Sequence, residues 1–153
     1  MIAIDLLLYV SSGMKGAHMA TDRRSVMSRY ALLWLGLLFI GILNGAVRER
    51  IYKDALGELF AHQLSSFIMV FLISGYVWIL EGRWKLSSSY EALAIGLIWL
   101  VQTMMFEFLF GHYVMGHPWD KLFADYNVFE GRFWSIVVFW VAVAPLIVYK
   151  VRE

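Results

Sequence analysis

Four stretches of this chain carry almost no charge over lengths that matter to a bilayer, and they constrain the fold more than anything else in the sequence. Residues 30–47 lie between Arg29 and Arg48, and residues 63–80 between His62 and Glu81. Residues 92–113 are interrupted only by Glu107 and His112, and residues 133–149 lie between Arg132 and Lys150. Each approaches the roughly 20 apolar residues needed to cross a hydrocarbon core about 30 Å thick. A soluble four-helix bundle would leave a polar face at 3.6-residue spacing. LLWLGLLFIGIL (32–43) and FIMVFLISGYVWIL (67–80) have none. The chain is 61% hydrophobic over 153 residues, where a soluble domain is closer to half. The expected fold is all-α and polytopic, with four transmembrane helices at about 30–48, 62–81, 91–113 and 132–150. These spans and their loops use residues 30–152 as a single domain, with the lipid bilayer as its first partner.

Several functions are excluded early. Net charge is +1, and no basic cluster with interleaved aromatics offers a nucleic-acid surface. The absence of cysteine removes disulfides, thiolate metal sites and thiol catalysis.

Residues 1–29 stand apart. MIAIDLLLYV is too short to span and lacks the basic start of a signal peptide. SSGMKGAHMATDRRS reads as a loop. Met14, Met19 and Met27 are alternative starts, so a flexible extension, or one not translated, is expected here.

The connections also carry pattern. Ile51, Leu56, Leu59 and Phe60 alternate with Lys53, Asp54 and Glu58, which predicts a short interfacial helix before the second span. Trp119, Leu122, Phe123 and Tyr126 share a face in the second outer connection and predict another. Ser87, Ser88 or Ser89 is placed to cap the third span. Gly41 and Gly45 form a GxxxG step, with Asn44 and Arg48 on the same stripe, so that stripe is expected to face protein. Pro145 lies within the fourth span, where neighbours can satisfy the carbonyl it frees. Basic residues number eight on the side of the termini (Lys15 included) and five on the other. The positive-inside rule then places both termini in the cytoplasm. Tyr30, Trp34, Trp78, Trp84, Tyr90 and Tyr149 are expected at the inner interface, and Tyr113, Trp119, Tyr126 and Trp134 at the outer one.

That topology gathers the polar residues at one end. Asn44, Arg48 and Glu49 close the first span, and His62, Gln63 and Ser66 open the second. Glu107 and His112 lie in the outer half of the third, with Trp99 and Thr103 on the Glu107 stripe, and Asp125 and Arg132 lead into the fourth. The inner halves hold almost nothing ionisable. A carboxylate among Met104, Met105, Phe106 and Phe108 costs several kcal/mol unless it is paired or protonated. Arg48 is its expected partner, because guanidinium matches a carboxylate geometrically. The pair serves either to fix helix register or to build a site for a polar ligand, an ion or a lipid headgroup.

Other chemistry is weaker in pattern. His62 and His112 from opposite helices could ligate haem, or with Glu107 and Glu58 a metal, although no HxxxH, ExxH or CxxCH is present. Glu107 with a histidine, or Ser65 or Ser66 beside His62, would be the start of an enzyme, without a recognisable motif. His117 before Pro118 reads as a turn residue. A further alternative is an accessory subunit whose glycine stripe docks another membrane protein or a second copy of the chain.

NGAVRE (44–49), AHQLSS (61–66) and FEFLFGHYVMGHPWDKLFADYN (106–127) resemble a group of small four-span bacterial membrane proteins. The resemblance covers about residues 30–152. It implies a four-helix fold and brings no activity, cofactor or catalytic residue with it.

Overall fold

The computed structural model describes the backbone from Ile2 to Glu153 and the side chains from Ser25 onward. Helix α1 (Ile2–Val47) continues through a π turn (Arg48–Tyr52) into α2 (Lys53–Leu56). Then follow α3 (Glu58–Arg83), α4 (Ser89–Leu109) with a second π turn (Phe110–Val114), and α5 (Trp119–Ala124). A 3₁₀ turn (Val128–Glu130) leads into α6 (Trp134–Arg152). No strand occurs among the described residues.

Four segments are long and apolar enough to cross a membrane: Ser25–Leu56, Glu58–Arg83, Ser89–Val114 and Trp134–Arg152. The shortest has 19 residues and reaches about 28 Å at the α-helical rise, close to the hydrocarbon thickness. Leu32, Leu35, Phe39, Phe67, Phe71, Val101, Met105 and Phe139 are all more than half exposed. Side chains of that kind facing outward on every long helix suit a lipid solvent and not water. The molecule is an integral membrane protein with four spans.

The helices form a square in which α1 and α4 each pack against a neighbour on both sides, and α6 packs on α3 and α4. The core stripe of α3 runs through Met69, Ile73, Val77 and Leu80, and that of α6 through Val137, Val141, Ala144 and Val148. Trp99 is fully buried in α4, and its indole donates to the Tyr30 carbonyl at 2.7 Å. Tyr30 and Trp34 therefore belong to the core and not to an aromatic belt, being 1% and 8% exposed. Trp78 and Tyr90 do face outward.

The close helix approach lies elsewhere than the GxxxG step. Gly96 on α4 sits against the Ala142 carbonyl of α6, where a Cβ could not fit. Gly45 has nothing within 4 Å, and Gly41 meets only the Met69 methyl, at 3.5 Å. The expected seam at Gly41 and Gly45 is thus open space inside the bundle.

The connections decide what lies at each end. At the end shared with the C-terminus, Ser88, one of the three serines expected to serve, caps α4 by accepting from the Glu91 amide. Glu81 and Glu91 are buried there and accept from the Leu86 and Ser87 amides. The expectation that this end holds almost nothing ionisable is thereby corrected: two carboxylates satisfy the amides of a turn too tight to satisfy its own. Arg152 donates to the Trp78 carbonyl at 2.6 Å and lies over the Trp78 ring. At the other end, Gly57 alone joins the first helical segment to α3, with φ +78°. The short helix of that connection is Lys53–Leu56, run on from α1. The backbone over residues 11–25, expected as a loop, is helical, and the stretch is free of proline. The side chains of residues 1–24, and with them the expectation of a flexible or untranslated start, lie outside the described residues.

Candidate functional site

Both π turns fall at the same end of the bundle, one beginning at Arg48 and the other enclosing Gly111 and His112. Such turns re-aim side chains and are frequent at functional sites. Across the second lies α5. Leu122 of α5 packs on Gly111, where an added Cβ would meet its Cδ2 at 2.8 Å. Phe108 anchors the segment, with Phe123 at 5.2 Å and Tyr126 at 5.8 Å between ring centroids. The helix expected around Trp119, Leu122, Phe123 and Tyr126 is present over Trp119–Ala124, with Tyr126 in the turn beyond it, and its aromatic face is what brings Tyr126 back over the bundle.

Tyr126 donates its phenol hydrogen to Glu107 Oε2. Trp134, at the start of α6, donates its indole N–H to Glu107 Oε1 at 2.8 Å. Each carboxylate oxygen therefore has a donor, and the expected Arg48 partner is not one of them. Arg48 pairs instead with Glu49, at 3.1 Å, and Lys53 shares that carboxylate at 2.7 Å. The reason is local: Glu49 is Arg48's neighbour in the π turn, and Lys53 follows Glu49 by one helical turn. Tyr126 and Trp134 escaped the sequence reading as partners because they lie 19 and 27 residues beyond Glu107, across a folded connection. Their usable signal was chemical. A buried indole must find an acceptor, and Glu107 was the strongest one at that depth. Burial and the neighbouring Glu107 carboxylate hold the Tyr126 phenol well above its ordinary range, so it remains a donor at neutral pH.

The rest of the Glu107 stripe is satisfied in the same way. Thr103 accepts from the Trp34 indole at 3.0 Å. Indole and phenol donors suit this setting because they satisfy an acceptor while adding apolar surface.

Glu107 and Trp134 stand where two cavities meet. The upper one, about 280 Å³, is lined by Asn44, Arg48, His62, Ser65 and Asp125 as well as by Glu107 and Tyr126. The lower one, about 240 Å³, is apolar and is lined by Leu37, Leu38, Met69, Val137 and Val141. Gly41 borders both. The upper cavity runs on into a charged vestibule of about 520 Å³, bordered by Lys53, Glu58, Lys121 and Arg132 and again by Arg48, His62 and Asp125.

The remaining expected residues divide. Asn44 is buried and donates to the Ser65 carbonyl at 2.9 Å, tying α1 to α3. Asp125 accepts from Arg132 at 2.7 Å, and Arg132 also lies 3.8 Å from Glu58. His62 is 8% exposed, and its Nδ1 has no hydrogen-bond partner. Gln63 leaves the cavity and donates to the Gly131 carbonyl. His112 leaves it too, because its ring stacks on Trp119 at 4.0 Å and its Nδ1 is 2.9 Å from the His117 carbonyl oxygen. Histidines 62 and 112 thus do not form a pair, and among the described residues no three of His, Asp and Glu are grouped to hold a metal. The Ser65 and Ser66 hydroxyls both donate to the His62 carbonyl and not to its ring.

Fold and site together define a four-span membrane protein with a polar cavity at the end opposite its C-terminus. Compared with protein-family models, curated proteins and solved structures, the chain matches none.

Proposed function

We propose that the upper cavity binds a small polar ligand, an ion or a lipid headgroup at the outer face of a bacterial inner membrane. Both termini are then cytoplasmic, as the excess of basic residues on their side supports. The resemblance of residues 44–49, 61–66 and 106–127 to bacterial four-span proteins supports the choice of membrane, and all three segments border the cavity. The observation that carries the binding reading is His62. It is almost fully buried, borders the cavity, and has a ring nitrogen without a partner. Such an atom costs about 1–3 kcal/mol unless something meets it. Arg48 and Glu107 complete a polar wall at the same depth, and ionisable groups inside a membrane protein are retained where they act. One four-span chain does not enclose a wide pore, so translocation would require several copies.

Native mass spectrometry tests this on protein released in mild detergent after expression in a bacterial membrane. We expect a retained small mass on the wild type that is lost from a variant combining Arg48→Gln with His62→Ala. A bare chain for the wild type would refute binding. A bare homo-oligomer or a co-purified protein would favour the accessory-subunit alternative.

A further inference from the structure

We propose that the ligand is a single-chain amphiphile with an anionic headgroup, its head at Arg48 and His62 and its chain in the apolar cavity below. This rests on the binding reading above and names its ligand class.

Donor and acceptor inventory sets the charge. Both Glu107 oxygens already accept, and Asp125 is held by Arg132. Arg48 has donors to spare: its Nε and Nη2 go to one Glu49 oxygen, and a guanidinium carries five N–H groups. Its Glu49 partner is itself shared with Lys53. His62 Nδ1 adds a further donor in the tautomer that protonates it. The free capacity of the cavity wall is therefore for an acceptor, and a phosphate or carboxylate supplies several acceptor oxygens at once. Around the vestibule Arg48, Lys53, Lys121 and Arg132 outnumber the Glu49, Glu58 and Asp125 carboxylates by one, a small excess of the same sign.

The apolar cavity sets the chain. It adjoins the polar one at Glu107, Trp134 and Gly41 without an intervening layer. Its volume is about 240 Å³, against the roughly 150 Å³ cavity that takes up one benzene. That accommodates part of one acyl chain and not two. Ile42, 55% exposed on the lipid-facing side of α1, stands at its edge. The head thus meets the aqueous vestibule while the tail meets the bilayer, which a soluble anion would not need.

The test titrates four probes into the purified full-length protein and reads retention by native mass spectrometry. Lysophosphatidylglycerol and palmitate carry a chain and an anionic head, monoacylglycerol carries the chain alone, and glycerol 3-phosphate carries the head alone. One lysophosphatidylglycerol or one palmitate per chain should bind at least about tenfold more tightly than either fragment. The better of the two tells whether the head is phosphate or carboxylate. Arg48→Gln should remove about tenfold of that affinity and leave monoacylglycerol unchanged. Leu38→Trp, at a residue that lines the apolar cavity and not the polar one, should weaken the chain-bearing anions and spare glycerol 3-phosphate. Gly41→Ala, whose Cβ meets only the Met69 methyl at 3.5 Å, gives a smaller loss without a steric clash. Glycerol 3-phosphate binding as tightly as lysophosphatidylglycerol would overturn the amphiphile and leave the headgroup site standing. Monoacylglycerol binding equally well, with Arg48→Gln silent, would overturn both. So would retention of none of the probes.

Discussion

Removing one oxygen atom tests how the cavity is held together. Tyr126→Phe deletes the phenol that donates to Glu107 and leaves the ring against Phe108. Glu107 keeps the Trp134 donor at 2.8 Å, and the hydroxyl's other neighbour, Met104 Sδ at 3.4 Å, is a weak acceptor. A hydrogen bond to a carboxylate contributes about 1.5–3 kcal/mol net in soluble proteins. Interhelical bonds in a bilayer average about 0.6 and reach about 1.7 kcal/mol. Tyr126 lies between these regimes, in the connection folded back over the bundle, so we expect a loss of about 1–2 kcal/mol, a five- to thirtyfold change in the unfolding equilibrium. SDS-driven unfolding from mixed micelles, followed by tryptophan fluorescence, measures it. The same substitution on a Glu107→Leu background should cost little, because its acceptor is already gone. Equal costs in the two backgrounds, within about 0.3–0.5 kcal/mol, would show no coupling and refute the assignment. The pH dependence supplies a sign. Burial and then Glu107 raise the folded-state phenol above its ordinary 10.0, so the folded protein holds that proton more tightly than the unfolded one. The contribution of Tyr126 is therefore fully present below about pH 10 and is lost as pH rises beyond it. The gap between wild type and Tyr126→Phe should be flat from neutral pH to that point and then shrink.

Two further outcomes follow from the packing and the charge distribution. Gly96→Ala drives a Cβ into the Ala142 carbonyl and should cost about 1–3 kcal/mol in the same unfolding assay. Gly41→Ala should stay within about 0.5 kcal/mol of wild type, and a reversed order would place the close helix contact at the GxxxG step after all. For orientation, the chain has no cysteine, so Asp120→Cys and Tyr90→Cys introduce single exposed thiols at opposite ends. A membrane-impermeant maleimide should label Asp120→Cys in intact spheroplasts and Tyr90→Cys only after lysis, and the reverse pattern would invert the topology.

Much of the architecture was legible because the bilayer makes it so. A span needs only length and apolarity, and both are written in consecutive residues. The four spans, the Ser88 cap and the aromatic face of α5 could all be read locally. The depth of the polar residues could be read too, since a span of known direction assigns each residue a height.

Rotation about the helix axes could not be read in that way. In helices apolar all round, no polar face says which side is inward, so the buried stripe through Ile73 and Val77 on α3 emerges only when the helices meet. The same freedom hid the partners of Glu107. Arg48 has the matching charge and the matching depth, yet Glu49 and Lys53 lie within its own turns, and proximity along the chain decided the pairing. Tyr126 reaches Glu107 because Phe108 and Gly111 seat α5 across the mouth of the bundle. Composition and spacing alone therefore determined a four-span membrane protein with a polar cluster at the end away from its C-terminus. Only tertiary structure decided that the carboxylate there is held by a phenol and an indole, and that a polar and an apolar cavity meet beside it, because both depend on how separate helices turn toward one another.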